Sequence, residues 1–121
     1  MFSKRSVDSI MKNLYKKKAH DTIAIDLRKL SDVTDFFIIC TAESDIHSKA
    51  LADFIQEELK KKNIYIDHIE GYNRGHWILM DYMTFVIHIF LSEERMFYNL
   101  ERLWGDAPSW RLDEAENKRE D

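Results

Sequence analysis

Five histidines, one cysteine and 22 acidic residues give this chain the raw material for metal or nucleophilic chemistry, so their spacing decides whether any is built. His20, His47, His68, His76 and His88 form no His-Glu-x-x-His pair and no Cys/His zinc spacing. His68, His76 and Glu70 could in principle meet at a metal, but their spacing is not a known ligand pattern. His88 lies inside the apolar run VIHIF, where a hydrogen-bonded sheet histidine is the plainer reading. Cys40, in FFIIC, reads as a buried, inert thiol without a nucleophile signature around it. The segment GYNRG holds two of the three glycines, yet it lacks the lysine, the serine and the helix start of a phosphate-cradling loop. Phosphoryl or nucleotidyl transfer needs clustered carboxylates for a divalent metal, and Asp26 and Asp81 each stand alone on their segments. The expectation is no catalytic residue, no cofactor and no metal site.

The elements that would position a binding surface follow from periodicity. Val7, Ile10, Met11, Leu14 and Tyr15 make one helical stripe over residues 6–18, with Ser6 as N-cap and Asp8 in the first turn. Ile23, Ile25 and Leu27 alternate with Thr22, Ala24 and Asp26, which reads as a half-buried strand over 21–29. FFIICT reads as a strand covered on both faces. Ser44 or Asp45 caps a helix over 45–62, and Asn63 is a left-handed stop. Ile64, Tyr65, Ile66 and Ile69 suggest a third strand, reached from the second by a parallel crossover.

The stretch from Glu70 to Trp104 carries a hairpin and a last helix. With Tyr82-Met83 as the turn, Trp77 faces His88, Leu79 faces Val86 and Asp81 faces Thr84. Tyr-Met is poor chemistry for a tight primed turn, so a looser connection would change that pairing. Either way Ile78, Met80, Phe85, Ile87 and Ile89 form an apolar side, and Trp77, Asp81 and His88 form a mixed one. Ser92 is read as the cap of the last helix, whose apolar face is Met96, Phe97, Leu100, Leu103 and Trp104. Gly105 and Pro108 end it, Trp110 has two readings, folding back over the sheet or covering an exposed patch, and residues 112–121 are read as a polar, disordered tail. The fold class is α/β: a mixed five-stranded sheet flanked by helices, in one domain over residues 1–111.

Composition narrows the function classes. A formal charge of −4 argues against a free-standing nucleic-acid binder and favours a partner with a basic patch. No segment approaches the roughly 20 apolar residues of a membrane span, and none resembles a signal peptide, so a cytoplasmic protein is expected. Trp77 has two readings, an interface anchor or core under a helix.

Four motifs together bear a resemblance. They are TDFFIICTAES at 34–44; Glu70 and Gly71 followed by Trp77 and Asp81; VIHIF at 86–90; and the string of Arg95, Phe97, Tyr98, Leu100, Glu101, Leu103 and Trp104. In this order and spacing, from about Val7 to Trp104, the chain resembles the ribosomal silencing factor, or Iojap-like, family. The resemblance implies a nucleotidyltransferase-like topology without catalytic residues. It also implies a non-enzymatic factor that binds the large ribosomal subunit through ribosomal protein L-fourteen. Occupying that site blocks joining of the small subunit and represses translation when nutrients are short; free family members tend to form homodimers. The chain departs from the family's common pattern at Met83, often Gly; at Thr84, often acidic; and at Thr41-Ala42-Glu43-Ser44, often Thr-Gly-Thr-Ser.

On this reading Trp77 anchors the partner, Glu70 and Asp81 are charge partners, and Tyr98 and Glu101 contribute. Glu101 and Arg95 have a second reading, as a local helix or helix–sheet pair. The lysine runs at 16–18 and 60–62 permit minor ribosomal RNA phosphate contacts. Two rival classes are a minimal nucleotidyltransferase-like enzyme and a generic dimeric adaptor.

Overall fold

The computed structural model describes residues 2–112. The tail expected over 112–121 lies outside them except for Leu112, which packs half-buried against the core. In chain order the elements are α1 (Lys4–Lys16), β1 (His20–Asp26), β2 (Phe36–Ala42), α2 (Asp45–Lys60), β3 (His68–Glu70), β4 (Trp77–Asp81), β5 (Phe85–Leu91), α3 (Ser92–Tyr98), α4 (Leu100–Leu103) and β6 (Ser109–Arg111). The sheet order is β3-β4-β5-β2-β1-β6, with only the central β2–β5 pair parallel. Among the described residues no helix is long and apolar enough to cross a membrane.

Among the described residues the sheet has six strands rather than five. Ser109–Arg111 adds to the outer edge of β1, with Trp110 opposite Ala24. Trp110 fixes that strand: its ring stands edge-on to Phe36 at 6.2 Å, and its Nε1 donates to Asp8 Oδ1 at 2.7 Å. The expected third strand is shorter, only His68–Glu70, and it does not adjoin β2. Both sides of β2 are already filled by β1 and β5, so the crossover through α2 runs on to the far edge.

α1 begins one turn earlier than expected. Ser3 is its N-cap, Ser6 closes a capping box as the third helical residue, and Asp8 is therefore not in the first turn. Ser44 caps α2 by accepting from His47 N, and Asn63 is left-handed with φ 62°. Together α1 and α2 cover one face of the sheet. Their Val7, Ile10, Met11, Leu14, Leu51 and Ile55 pack on Ile38, Ile78, Met80, Phe85, Ile87 and Ile89. Cys40 is fully buried in this layer, and burial pushes its thiol up to about 12, which leaves it unreactive.

The hairpin register differs from the expected one by two residues. Trp77 faces Phe90, Leu79 faces His88 and Asp81 faces Val86. The turn is Met83-Thr84, closed by Tyr82 N donating to Phe85 O at 2.9 Å. Met83 takes φ 71°, and Asp81 Oδ1 accepts from its N–H at 2.7 Å, which supports the turn that Tyr-Met chemistry did not suggest. An even shift leaves every side chain on its original face, so the division into apolar and mixed sides stands.

The last helix is broken. Asn99 adopts φ 45°, ψ 60°, ending α3 and capping α4, where its side chain accepts from Arg102 N at 3.3 Å. Leu91, not Ser92, is the N-cap of α3, and no side chain caps it. The break turns Leu100 and Trp104 onto the sheet but leaves Met96, Phe97 and Leu103 outside, 79%, 80% and 71% exposed.

Candidate partner-binding face

The uncovered sheet face is assembled by strand alternation. Registers across β3, β4 and β5 put His68, Glu70, Trp77, Leu79, Asp81, Val86, His88 and Phe90 on the side away from α1 and α2. β2 continues this face through Phe37, Ile39 and Thr41. α3, α4 and the following loop cover its β1–β2 half and the adjoining end of β5, where Ile23, Ile25, Leu27, Ile39, Phe90 and Ala107 are buried with Phe37, Leu100 and Trp104 against them.

Trp77 stands at the border of the covered and open halves, half-buried. Its ring lies 4.8 Å from Phe90 at 28° and 4.6 Å from Tyr98 at 44°. Its Nε1–H donates to His88 Nδ1 at 3.1 Å. Tyr98 meets Phe97 edge-on at 5.0 Å, so Trp77, Tyr98 and Phe97 form one aromatic run ending in solvent. Fixed rings with an apolar body are the usual anchors of protein interfaces.

An acidic rim flanks the run on the β3 side. His68 is held between carboxylates: Nδ1 lies 2.9 Å from Asp67 Oδ2 and 3.8 Å from Asp81 Oδ2, and Nε2 lies 3.0 Å from Glu70 Oε2. The hydrogen bonds to Asp67 and then Glu70 hold the His68 pKa above its ordinary value. Asp67, His68 and Asp81 could offer three ligand atoms to a cation, all within 4.8 Å of one another, but they sit at the surface with the His68 nitrogens engaged by Asp67 and Glu70. His76 is apart from this group: its Nδ1 accepts from Arg74 Nε at 3.1 Å and lies 3.3 Å from Glu94.

Of the five residues read from sequence, Glu70, Trp77 and Asp81 share the open face, and Tyr98 stacks beside Trp77. Glu101 is otherwise engaged. Its Oε1 accepts from Arg95 Nε at 2.9 Å and Nη2 at 2.6 Å, while Arg95 Nη1 donates to Thr41 Oγ1 at 2.8 Å. This largely buried bridge ties α3 to α4 and both to β2, so the local helix–sheet pair is realised here. Sequence reasoning missed His68 as the centre of the rim, and it missed Met96, Phe97 and Leu103 as surface residues. Asn99, a residue that readily takes the left-handed conformation in mid-helix, was the available signal for the latter.

The crevice at the carboxyl ends of the parallel strands, where open α/β sheets commonly bind ligands, is lined by His20, Glu43, His76, Glu93 and Glu94. His20 Nε2 lies 2.8 Å from Glu43 Oε1, and His76 Nδ1 lies 3.3 Å from Glu94 Oε2.

The sequence matches, over residues 2–121, the family described as "Ribosomal silencing factor during starvation". The chain belongs to the ribosomal silencing factor family. Ribosomal silencing factor RsfS of Bacillus subtilis is 39% identical over 102 residues, spanning 84% of this chain and 86% of its own. A more distant relative is the mouse protein named "Mitochondrial assembly of ribosomal large subunit protein 1", 30% identical over 105 residues and 84% of this chain, but only 46% of its own length. A crystal structure of a protein from Chromobacterium violaceum superposes with TM-score 0.82 and 32% identity, covering 87% of this chain and 88% of that one. The α/β architecture of the silencing factor family is therefore the one described above.

Proposed function

We propose that this chain binds the large ribosomal subunit through ribosomal protein L-fourteen and, by occupying that surface, prevents the small subunit from joining, so that translation is repressed when nutrients are short. The observation that carries the reading is the aromatic run of Trp77, Tyr98 and Phe97, which ends in solvent, on the same sheet face as the carboxylates Glu70 and Asp81. An aromatic anchor supplies buried area on docking, and acidic neighbours complement a basic protein surface and speed encounter. The relatives' names support a ribosomal partner, and the mouse relative's name supports the large subunit in particular. The action is steric: affinity and placement replace catalysis, and neither cofactor nor metal takes part. Free chains pair as homodimers in the cytoplasm, and Met96 and Leu103, exposed and outside the aromatic run, offer a separate apolar contact.

The test is co-sedimentation with isolated large subunits, with subunit joining followed by light scattering. Wild-type protein should pellet with large subunits and suppress joining. Absence of binding at low and moderate salt would end this reading and leave the generic adaptor.

A further inference from the structure

His88 is the least expected residue in the face layer. It is 3% exposed, its pKa is pushed down to about 3 by burial, and it is therefore a neutral imidazole. Because Nδ1 accepts the Trp77 indole proton at 3.1 Å, the ring carries its own proton on Nε2. That nitrogen is buried and has no hydrogen-bond partner among the described residues. A buried N–H left unpaired is destabilising, typically by about 1–3 kcal/mol. A branched aliphatic side chain, like the neighbouring Ile39 opposite His88 on β2, would fill the layer without that penalty. The acceptor for Trp77 is what an imidazole adds that an aliphatic residue cannot.

That acceptor constrains Trp77 specifically. The indole is stacked by Phe90 and flanked by Tyr98, contacts that tolerate a flipped ring, whereas the bond from Nε1 to His88 fixes which edge points inward. Phe37 packs nearly perpendicular to the imidazole at 4.5 Å and limits its rotation. We propose that His88 is a positioning residue, which by accepting the indole N–H holds Trp77 in the single orientation that a basic protein partner docks against. This rests on the reading of Trp77 as the docking anchor.

The experiment combines the indole ¹⁵N–¹H resonance of Trp77 with the affinity of the full chain for isolated large subunits. His88→Leu removes the acceptor while keeping the site apolar; His88→Asn keeps an acceptor oxygen at the δ position. His88→Leu should move the Trp77 resonance, speed its exchange with water, and weaken binding about tenfold, as losing one buried hydrogen bond implies. His88→Asn should restore the resonance and bring affinity to within about threefold of wild type. In a Trp77→Phe background, which has no indole proton, His88→Leu should change affinity less than about twofold. Wild-type affinity for His88→Leu overturns the proposal, as does equal loss in His88→Asn and His88→Leu. Unaltered binding by Trp77→Ala instead removes the docking reading itself, and the resonance then still reports whether His88 holds the ring.

Discussion

Replacing Met83 with glycine should stabilise the protein, and the size of the gain follows from the turn. Met83 is the first residue of the Met83-Thr84 turn, with φ 71° and 62% of its surface exposed. A side chain in the left-handed region costs about 1–2 kcal/mol. Glycine relieves that strain but loses more freedom on folding, about 0.5–1 kcal/mol. The exposed thioether contributes little packing, and Asp81 still accepts from the residue 83 N–H. The net expectation for Met83→Gly is a gain of about 0.5–1 kcal/mol, or roughly 2–6 °C in Tm. Met83→Ala keeps the Cβ and its strain, so it should stay within about 0.5 kcal/mol of wild type. Urea unfolding with unchanged slope, read alongside a thermal melt, measures both. If Gly is no better than Ala, or lowers the midpoint, the turn is not strained at residue 83 and the hairpin register is misassigned.

Three further outcomes follow. Arg95→Ala should lower stability by about 2–4 kcal/mol in urea unfolding, because it strips the partly buried Glu101 of its partner and unties α3 and α4 from β2. Glu70→Gln with Asp81→Asn should slow association with large subunits and flatten its salt dependence more than it speeds dissociation, measured by stopped flow at two ionic strengths. His68, whose pKa is raised by Asp67 and Glu70, should make docking pH-dependent: protonation below its folded pKa offsets rim charge, so affinity for a basic partner rises as pH climbs through and above the ordinary histidine range. Its effect on folding runs the other way, since a raised pKa stabilises fully below the unfolded value and that contribution is lost as pH rises through the folded one; His68→Gln should abolish both trends in binding and unfolding titrations.

Local patterns that repeat along the chain were legible in the sequence. The helical stripe of Val7, Ile10, Met11 and Leu14, the apolar run at β2 and the capped α2 all appear where periodicity puts them. The two hairpin faces were legible even though the turn was displaced, because an even register shift preserves alternation. β6 was not legible: three residues after Pro108 make no periodic signal, and their strand exists only through pairing with distant β1. The break at Asn99 was hidden because Met96, Phe97, Leu100, Leu103 and Trp104 suit a continuous helix, while one left-handed residue reassigns three of them to solvent. For the site, alternation alone placed Trp77 and Asp81 together. The proximity of Tyr98 to Trp77 and of His68 to Glu70 and Asp81 depends on strand pairing and chain reversal that no local pattern encodes.

The most direct test of the account is the affinity of Trp77→Ala for isolated large ribosomal subunits, with folding checked by thermal melt. Trp77 carries the docking claim, so its truncation should weaken binding at least about thirtyfold, as expected of an interface hot spot, and should release subunit joining from inhibition. A folded Trp77→Ala protein that binds large subunits at wild-type strength would contradict the account.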